Sequence, residues 1–298
     1  MSSLSENMRG AGLMMGSMVS FTLNDACMKA LADELPLSQA IFLRGIATTV
    51  LMFILVRVMD ASTRGISRRD IWLIRARNVT EVATAYFFIT ALFNMPIANA
   101  AAIMQALPLT VTLAGAVFLG QAVGWRRLTA ILVGLTGVLL IVRPGLAGFN
   151  YYSLYVLAAV AMVTIRDVLS RKISSDVPTV TVALMNAISV MIAFGVASIW
   201  SDWQPLSVKA GLQLGAASIF IIGGYIFSVA AMRVGEIAVV APFRYTSLLA
   251  ALVLGLFVFG EFPDILTLIG AGIVVATGVY TFNRERRLAT DAAPPQQT

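Results

Sequence analysis

Glu81 sits about ten residues into an apolar run that begins at Ile71. A carboxylate so placed is paired or put to use, because an unpaired charge in hydrocarbon costs several kcal/mol. Its chemistry suits proton coupling or the binding of an ammonium group; the competing reading is an ion pair with Arg44 or Arg244 that only locks helices. Arg244 follows Pro242 and precedes Tyr245 and Thr246. A proline-bent helix presenting Arg244 and Tyr245 to a cavity would clamp a carboxylate, unless the kink is simply packed against its neighbours. Asn99, Gln105 and Pro108 occupy the comparable place earlier in the chain, with Gln105 matching Tyr245 at a separation of 140.

Further polar groups fall within apolar runs. Asp25 and Lys29 are four residues apart on one helical face, and Arg166 and Asp167 lie in the corresponding region of the second half. Asn24 and Asn186 can bond across helices or touch a substrate, and Lys29 with Arg244 would take a carboxylate while Asp25 with Glu81 take an ammonium. Tyr86 and Tyr225, with Phe87, Phe88 and Phe227 beside them, could stack an aromatic ligand or hold a cation, although such rings more often pack or mark an interface. Met14, Met15, Met18 and Met104 read as adaptable apolar filler.

These residues must be held by membrane helices. Hydrophobic residues make up 59% of the 298 and charged ones 12%, about half the charged share of a soluble domain, roughly 25%. Apolar runs long enough to cross a core of about 30 Å recur along the chain, and in lipid the backbone must bond within each run, so each is a helix. The expected spans are 10–31, 37–58, 71–93, 97–120, 126–143, 151–170, 179–200, 210–231, 237–258 and 265–283. Turn signals separate them at Leu35-Pro36, 62–70, Asn94-Met95-Pro96, Arg143-Pro144-Gly145, Val177-Pro178 and Glu261-Phe262-Pro263. The first run is too long for a signal-peptide core and is read as a retained helix. The sequence after Arg287, LATDAAPPQQT, reads as a disordered tail.

Basic residues set the expected orientation. With the N-terminus inside, one set of ends and loops holds Arg9, Arg57, Arg64, Arg68, Arg69, Arg75, Arg77, Arg126, Arg127, Arg171, Lys172, Arg233, Arg284, Arg286 and Arg287, and the other only Arg143 and Lys209. This fits an even number of spans with both termini cytoplasmic, and it accounts for the net charge of +6 without nucleic acid. With no histidine and only Cys27 as a thiol, histidine catalysis, histidine-based zinc sites and internal disulfides are excluded. No glycine-rich phosphate loop followed by Lys and Ser or Thr occurs. We therefore expect no metal, no cofactor and no enzymatic activity.

The chain also repeats itself. A shift of 142 brings Asp25, Pro36 and Arg44 onto Asp167, Pro178 and Asn186; 139 brings Ala85-Tyr86-Phe87-Phe88 onto Gly224-Tyr225-Ile226-Phe227; 140 brings Phe118-Leu119-Gly120-Gln121 onto Val258-Phe259-Gly260-Glu261. A glycine-rich helix follows in each half, with Gly134 and Gly137 in one and Gly270, Gly272 and Gly278 in the other. Five spans per half is odd, so the halves enter the membrane in opposite senses. The expected fold is an all-α integral membrane protein with ten transmembrane helices in two inverted five-helix repeats, 10–145 and 146–283, flanked by a cytoplasmic N-terminus, 1–9, and a cytoplasmic tail, 284–298. Such an arrangement places a binding site near the midplane between halves that open alternately to either side.

These residues resemble the EamA-type drug/metabolite transporter superfamily over about residues 10–283. Its repeats end in a small-residue helix, a Gly-Glu turn and a glycine-rich last helix. Gly260-Glu261 fits that turn, and Gly120-Gln121 departs from it. The resemblance implies export of amino acids or similar metabolites across a bacterial inner membrane, most like aromatic amino acid exporters of the YddG type. A multidrug or cationic-compound exporter is the alternative, and would need only acidic and aromatic groups. Two halves that enclose a pathway within one chain point to a monomer.

Overall fold

The structure, a computed structural model, describes residues 4–61, 65–119, 124–146, 148–234 and 237–291. Every regular element among them is helical. In chain order these are α1 (Leu4–Lys29), α2 (Leu37–Val58), α3 (Arg68–Asn94), α4 (Ile97–Met104), α5 (Leu107–Leu119), α6 (Trp125–Val142), α7 (Tyr152–Ser170), α8 (Thr179–Ala197), α9 (Val208–Val234), α10 (Ile237–Val240), α11 (Thr246–Phe259) and α12 (Ile265–Asp291), with 3-10 turns at Ser198–Trp200 and Ala241–Tyr245.

Local chemistry sets the ends. Pro36, Pro96 and Pro178 stand immediately before α2, α4 and α8, where the missing N–H is harmless. Ser67 accepts from the Asp70 amide at 3.1 Å and Ser207 from the Ala210 amide at 3.0 Å, capping α3 and α9. Gly260 closes α11 at φ +65°, a left-handed position that disfavours a side chain, and the Glu261 amide donates back to the Gly255 carbonyl at 2.8 Å.

Prolines also interrupt the two expected spans that contain them internally. Pro108 cannot donate to the Met104 carbonyl, and α4 stops at Met104; Pro242 falls in the 3-10 turn between α10 and α11. The outer boundaries differ from expectation: α1 begins at Leu4, not Gly10, and α12 continues past 283 to Asp291. Gly120-Gln121 and residues 292–298 lie outside the described residues.

Among the described residues seven helical stretches are long and apolar enough to cross a membrane: Leu37–Val58, Ile97–Phe118, Tyr152–Ser170, Thr179–Trp200, Val208–Val234, Ala241–Phe259 and Ile265–Asn283, with a shorter apolar one at Leu128–Val142. The chain is a multi-pass membrane protein. At 26 and 27 residues, α1 and α3 are long enough to span, but they carry Asn24, Asp25 and Lys29 in one case and Arg77, Asn78 and Glu81 in the other, so their hydropathy falls short. Helices that spend polar residues in this way have an interior to serve.

The most extensive packing is α1 on α9, α3 on α7, α6 on α12 and α2 on α8, and α4 lies along α11. Between α6 and α12 the backbones touch. A methyl group on Gly270 would stand 2.5 Å from the Gly137 carbonyl, and one on Gly137 would stand 2.8 Å from the Gly270 carbonyl.

Polar ties gather at one end of the bundle. Glu34 receives Lys209 Nζ at 2.6 Å and the Ser207 hydroxyl at 2.9 Å; Gln39 and Gln204 exchange two hydrogen bonds; Arg143 pairs with Asp264; and Asn150 donates to the Asn94 carbonyl at 3.5 Å. Lys209 and Ser207 hold the Glu34 carboxyl below the usual range. Burial pushes Asp264 up, but the Thr267 amide and Arg143 outweigh it, so this carboxyl too stands below its ordinary value. At the opposite end Asp70 accepts from the Ser174 amide at 3.1 Å and from the Ser67 hydroxyl at 2.7 Å. We call these the Glu34 end and the Asp70 end.

Candidate functional site

Between the two ends lies a cluster of charged side chains. From α7, Arg166 donates Nη1 to Glu81 Oε2 of α3 at 3.2 Å, and its Nη2 and Nε to Asp167 Oδ1 at 2.9 and 3.0 Å. The extensive α3–α7 contact makes this bridge possible. From α1, Asn24 donates to Asp25 at 2.9 Å and accepts from Arg44 Nη1 of α2 at 3.2 Å. Arg44 is buried and within electrostatic reach of both Asp25 and Glu81, so the two groups form one network.

Two further guanidiniums flank it. Arg244, in the 3-10 turn between α10 and α11, is exposed and lies within electrostatic reach of Asp167 and Arg166. Among the described residues its side chain has no hydrogen bond and no ion pair. Arg77, four residues before Glu81 on the same face of α3, donates Nε to the Ser170 hydroxyl at 3.0 Å, while its Nη1 is buried without a partner. Its electrostatic neighbours are Glu81, Arg166, Asp167 and Tyr225. Arg44, Arg77, Arg166 and Arg244 thus face Asp25, Glu81 and Asp167, one positive charge in excess.

In the sequence Arg77 falls among the topology-setting loop residues; the structure puts it in the cluster. The i, i+4 spacing of Arg77 and Glu81 was the signal available for it. Glu81 pairs with Arg166, and Arg44 and Arg244, the partners considered from sequence, make no bond to it.

Other candidates lie elsewhere. Lys29 does not meet Asp25: its ammonium bonds Glu261 Oε1 at 3.1 Å, the Met95 carbonyl at 2.7 Å and the Leu92 carbonyl at 3.3 Å, over the ring of Phe259. Glu261 in turn accepts from the Ile97 amide at 3.3 Å. This knot at the Glu34 end ties α1 and α3 to the α11–α12 turn. Gln105 is buried and donates to the Ser247 hydroxyl at 2.8 Å, linking the α4–α5 break to α11. Asn186 is on α8 with its Oδ1 buried and unpartnered.

Tyr86 shares an exposed stripe of α3 with Trp72 and Val79, about 140° around the helix from Glu81 at 100° per residue. There it joins Phe87, Tyr151, Tyr152 and Tyr155 in an aromatic group of the kind found at membrane interfaces. Tyr225, matched to it at a shift of 139, packs with Met52, Val56, Val180 and Leu184 and lies within electrostatic reach of Arg77. Tyr245 does not accompany Arg244: its ring is buried in a notch at Gly278, where any side chain would collide with it, and its hydroxyl has no partner. Removing an unpaired buried hydroxyl is neutral or favourable. Tyr245→Phe should therefore keep its transport rate and gain up to about 1 kcal/mol of thermal stability in detergent. A tenfold fall in transport by this variant would instead make Tyr245 a substrate contact.

Clefts of about 530 Å³, at the Asp70 end between 65–70 and 172–178, and about 440 Å³, beside Trp125 and Tyr280, open away from the cluster. Among the described residues no group of three or more Cys, Asp or Glu is placed to hold a metal ion.

Comparison with known proteins agrees with this architecture. The profile of the EamA-like transporter family matches residues 8–143 and again 150–283, so the chain belongs to that family, one of transporters and not of enzymes. It is 24% identical over 280 residues to an S-adenosylmethionine uptake transporter of Rickettsia conorii, spanning 93% of this chain and 94% of that one. It is 24% identical over 288 residues to the pseudopaline exporter CntI of Pseudomonas aeruginosa, spanning 93% and 97%. With a riboflavin transporter of Vibrio cholerae it shares 27% identity over 197 residues, 63% of each chain. None of these three is an aromatic amino acid exporter, so the resemblance holds for the family and not for the YddG type in particular. A solved crystal structure shares the fold with a TM-score of 0.65 at 17% identity, covering 94% of this chain and 98% of that one.

Proposed function

We propose that the chain exports small metabolites bearing a carboxylate, amino acids and their derivatives foremost, by alternating access around the Arg166 cluster. The observation that carries this is Arg244: among the described residues it alone of the charged groups of the cluster has no hydrogen bond or ion pair. The three acids of the cluster are all engaged, Glu81 and Asp167 by Arg166 and Asp25 by Asn24 beside Arg44. An interior with spent carboxylates and a free guanidinium favours an anionic group over a bare cation, which weighs against the multidrug reading. S-adenosylmethionine, the cargo of one relative, itself carries an α-amino acid group.

Two inverted repeats, and with them ten spans, supply the alternation. Matching α1, α2, α3 and α6 to α7, α8, α9 and α12 exchanges the α1–α9 contact with the α3–α7 contact and returns α2–α8 and α6–α12 to themselves. The capping residues Ser67 and Ser207 are 140 apart, and each sits where one half grips a loop of the other, at Ser174 and at Glu34. The double family match supports the same division. The basic-residue bias supports a cytoplasmic Asp70 end, and a monomer suffices. Export is supported by the pseudopaline relative, whereas the S-adenosylmethionine relative works in uptake, so direction needs vesicles of known sidedness.

The test is counterflow in proteoliposomes with radiolabelled phenylalanine, threonine and S-adenosylmethionine. Saturable exchange of at least one is expected, falling at least tenfold in Arg244→Ala while efflux of a cationic dye is little changed. Equal loss of both activities would make Arg244 structural, and no exchange of any of the three would move cationic compounds to the front.

A further inference from the structure

Arg77 is left over by the site just described. Its Nη1 is buried with no acceptor, an arrangement that is costly unless something supplies one. Its orientation is fixed: Nε is held by the Ser170 hydroxyl, which donates onward to the Arg166 carbonyl at 2.8 Å. Glu81 and Asp167 do not satisfy Nη1, since both face Arg166. The Tyr225 phenol of α9 lies within electrostatic reach of Arg77 and of Arg233, packed against Met52, Val56, Val180 and Leu184 and without a hydrogen bond among the described residues. Because α3 starts at the Asp70 end, Arg77 lies one helical turn nearer that end than Glu81. The excess positive charge of the cluster is therefore shared by two cations within electrostatic reach of the Arg166–Asp167 pair, Arg244 and Arg77.

We propose that Arg77 and Tyr225 form a second anion station, which receives the carboxylate of the substrate between the Asp70 end and Arg244. This rests on the carboxylate reading above and adds a residue and a sidedness to it. A guanidinium and a phenol can each donate to a carboxylate, and the acids within reach of Arg77, Glu81 and Asp167, are held by Arg166 and leave its Nη1 without an acceptor.

Two measurements test the station. In vesicles of fixed sidedness, Arg77→Gln should raise KM roughly tenfold or more for phenylalanine presented at the Asp70 end, leave KM at the Glu34 end unchanged, and regain most of the difference in Arg77→Lys. Equal changes at both ends, or a fall in kcat alone, would overturn the proposal. The second needs no transport. At constant ionic strength, phenylacetate should raise the thermal midpoint of the purified protein above that seen with phenylacetamide, and Arg77→Gln and Tyr225→Phe should each shrink this difference. A carboxylate-specific shift that survives in both variants would overturn the station while leaving Arg244 as the anion site. Loss of the shift in Arg244→Ala alone would have the same meaning.

Discussion

Arg166→Gln should abolish exchange of every substrate and lower the stability of the folded protein by about 3 kcal/mol. Among the described residues Arg166 is the one cation that bonds two carboxylates at once, Glu81 from α3 and Asp167 from its own helix. Without it both acids lose the cation bonded to them and keep within electrostatic reach only guanidiniums that are not bonded to them, those of Arg44, Arg77 and Arg244. An interior charge stripped of its bonded partner costs far more than the net worth of the pair that was broken. The side chains of Arg166 and Glu81 keep about a quarter and a fifth of their exposure, 26% and 21%, which is why the lower end of the usual 3–5 kcal/mol range applies. Adding Glu81→Gln to Arg166→Gln removes one orphaned charge and should recover part of the stability but none of the exchange, because the α3–α7 bridge is still missing. Thermal melts in detergent and counterflow on the same preparations separate the two effects. Arg166→Gln retaining wild-type stability would mean that the triad is not a structural unit, and retained exchange would remove it from the mechanism.

How much of this was legible in the sequence depended on how each residue advertised itself. Glu81 stood out because nothing apolar explains a carboxylate in that run, and the polar residues of α1 and α3 were visible as departures from hydropathy. Arg77 was hidden by its nearness to Arg68, Arg69 and Arg75: a basic residue close to a loop looks like an orientation signal whichever way its side chain goes. Lys29 misled through its spacing. Four residues from Asp25, it had an obvious partner on its own helix, but it ends α1 beside the carbonyls at the C-terminal end of α3, and an ammonium is drawn to such unsatisfied acceptors. Tyr86 and Tyr225 match at a shift of 139 and still differ in surroundings, because the face of α3 that carries Tyr86 is exposed whereas Tyr225, on α9, is packed against α2 and α8. A shift that matches sequence pairs positions along the chain. It does not oblige equivalent side chains to meet equivalent surroundings.

Lys29→Met should leave KM for any carboxylate substrate unchanged and cost the protein about 3 kcal/mol of stability or more. The ammonium of Lys29 spends its three donors on Glu261, Met95 and Leu92, and its side chain is only 9% exposed. A methionine fills the same space but strands Glu261, whose other oxygen remains with the Ile97 amide, and leaves two carbonyls at the end of α3 without their donor. The loss should fall on the Glu34 end, where α1, the α3–α4 turn and the α11–α12 turn meet, and not on the Arg166 cluster. A double-mutant cycle isolates the pair. Glu261→Gln alone should destabilise less, because an amide still accepts from Ile97, and Lys29→Met with Glu261→Gln should be more stable than Lys29→Met alone, since the stranded carboxylate is gone. The opposite pattern, a KM rising tenfold in Lys29→Met with its melting midpoint intact, would put Lys29 back among the groups that bind substrate. It would also require the knot with Glu261 to open during transport, because an ammonium with all three donors engaged has none left for a carboxylate.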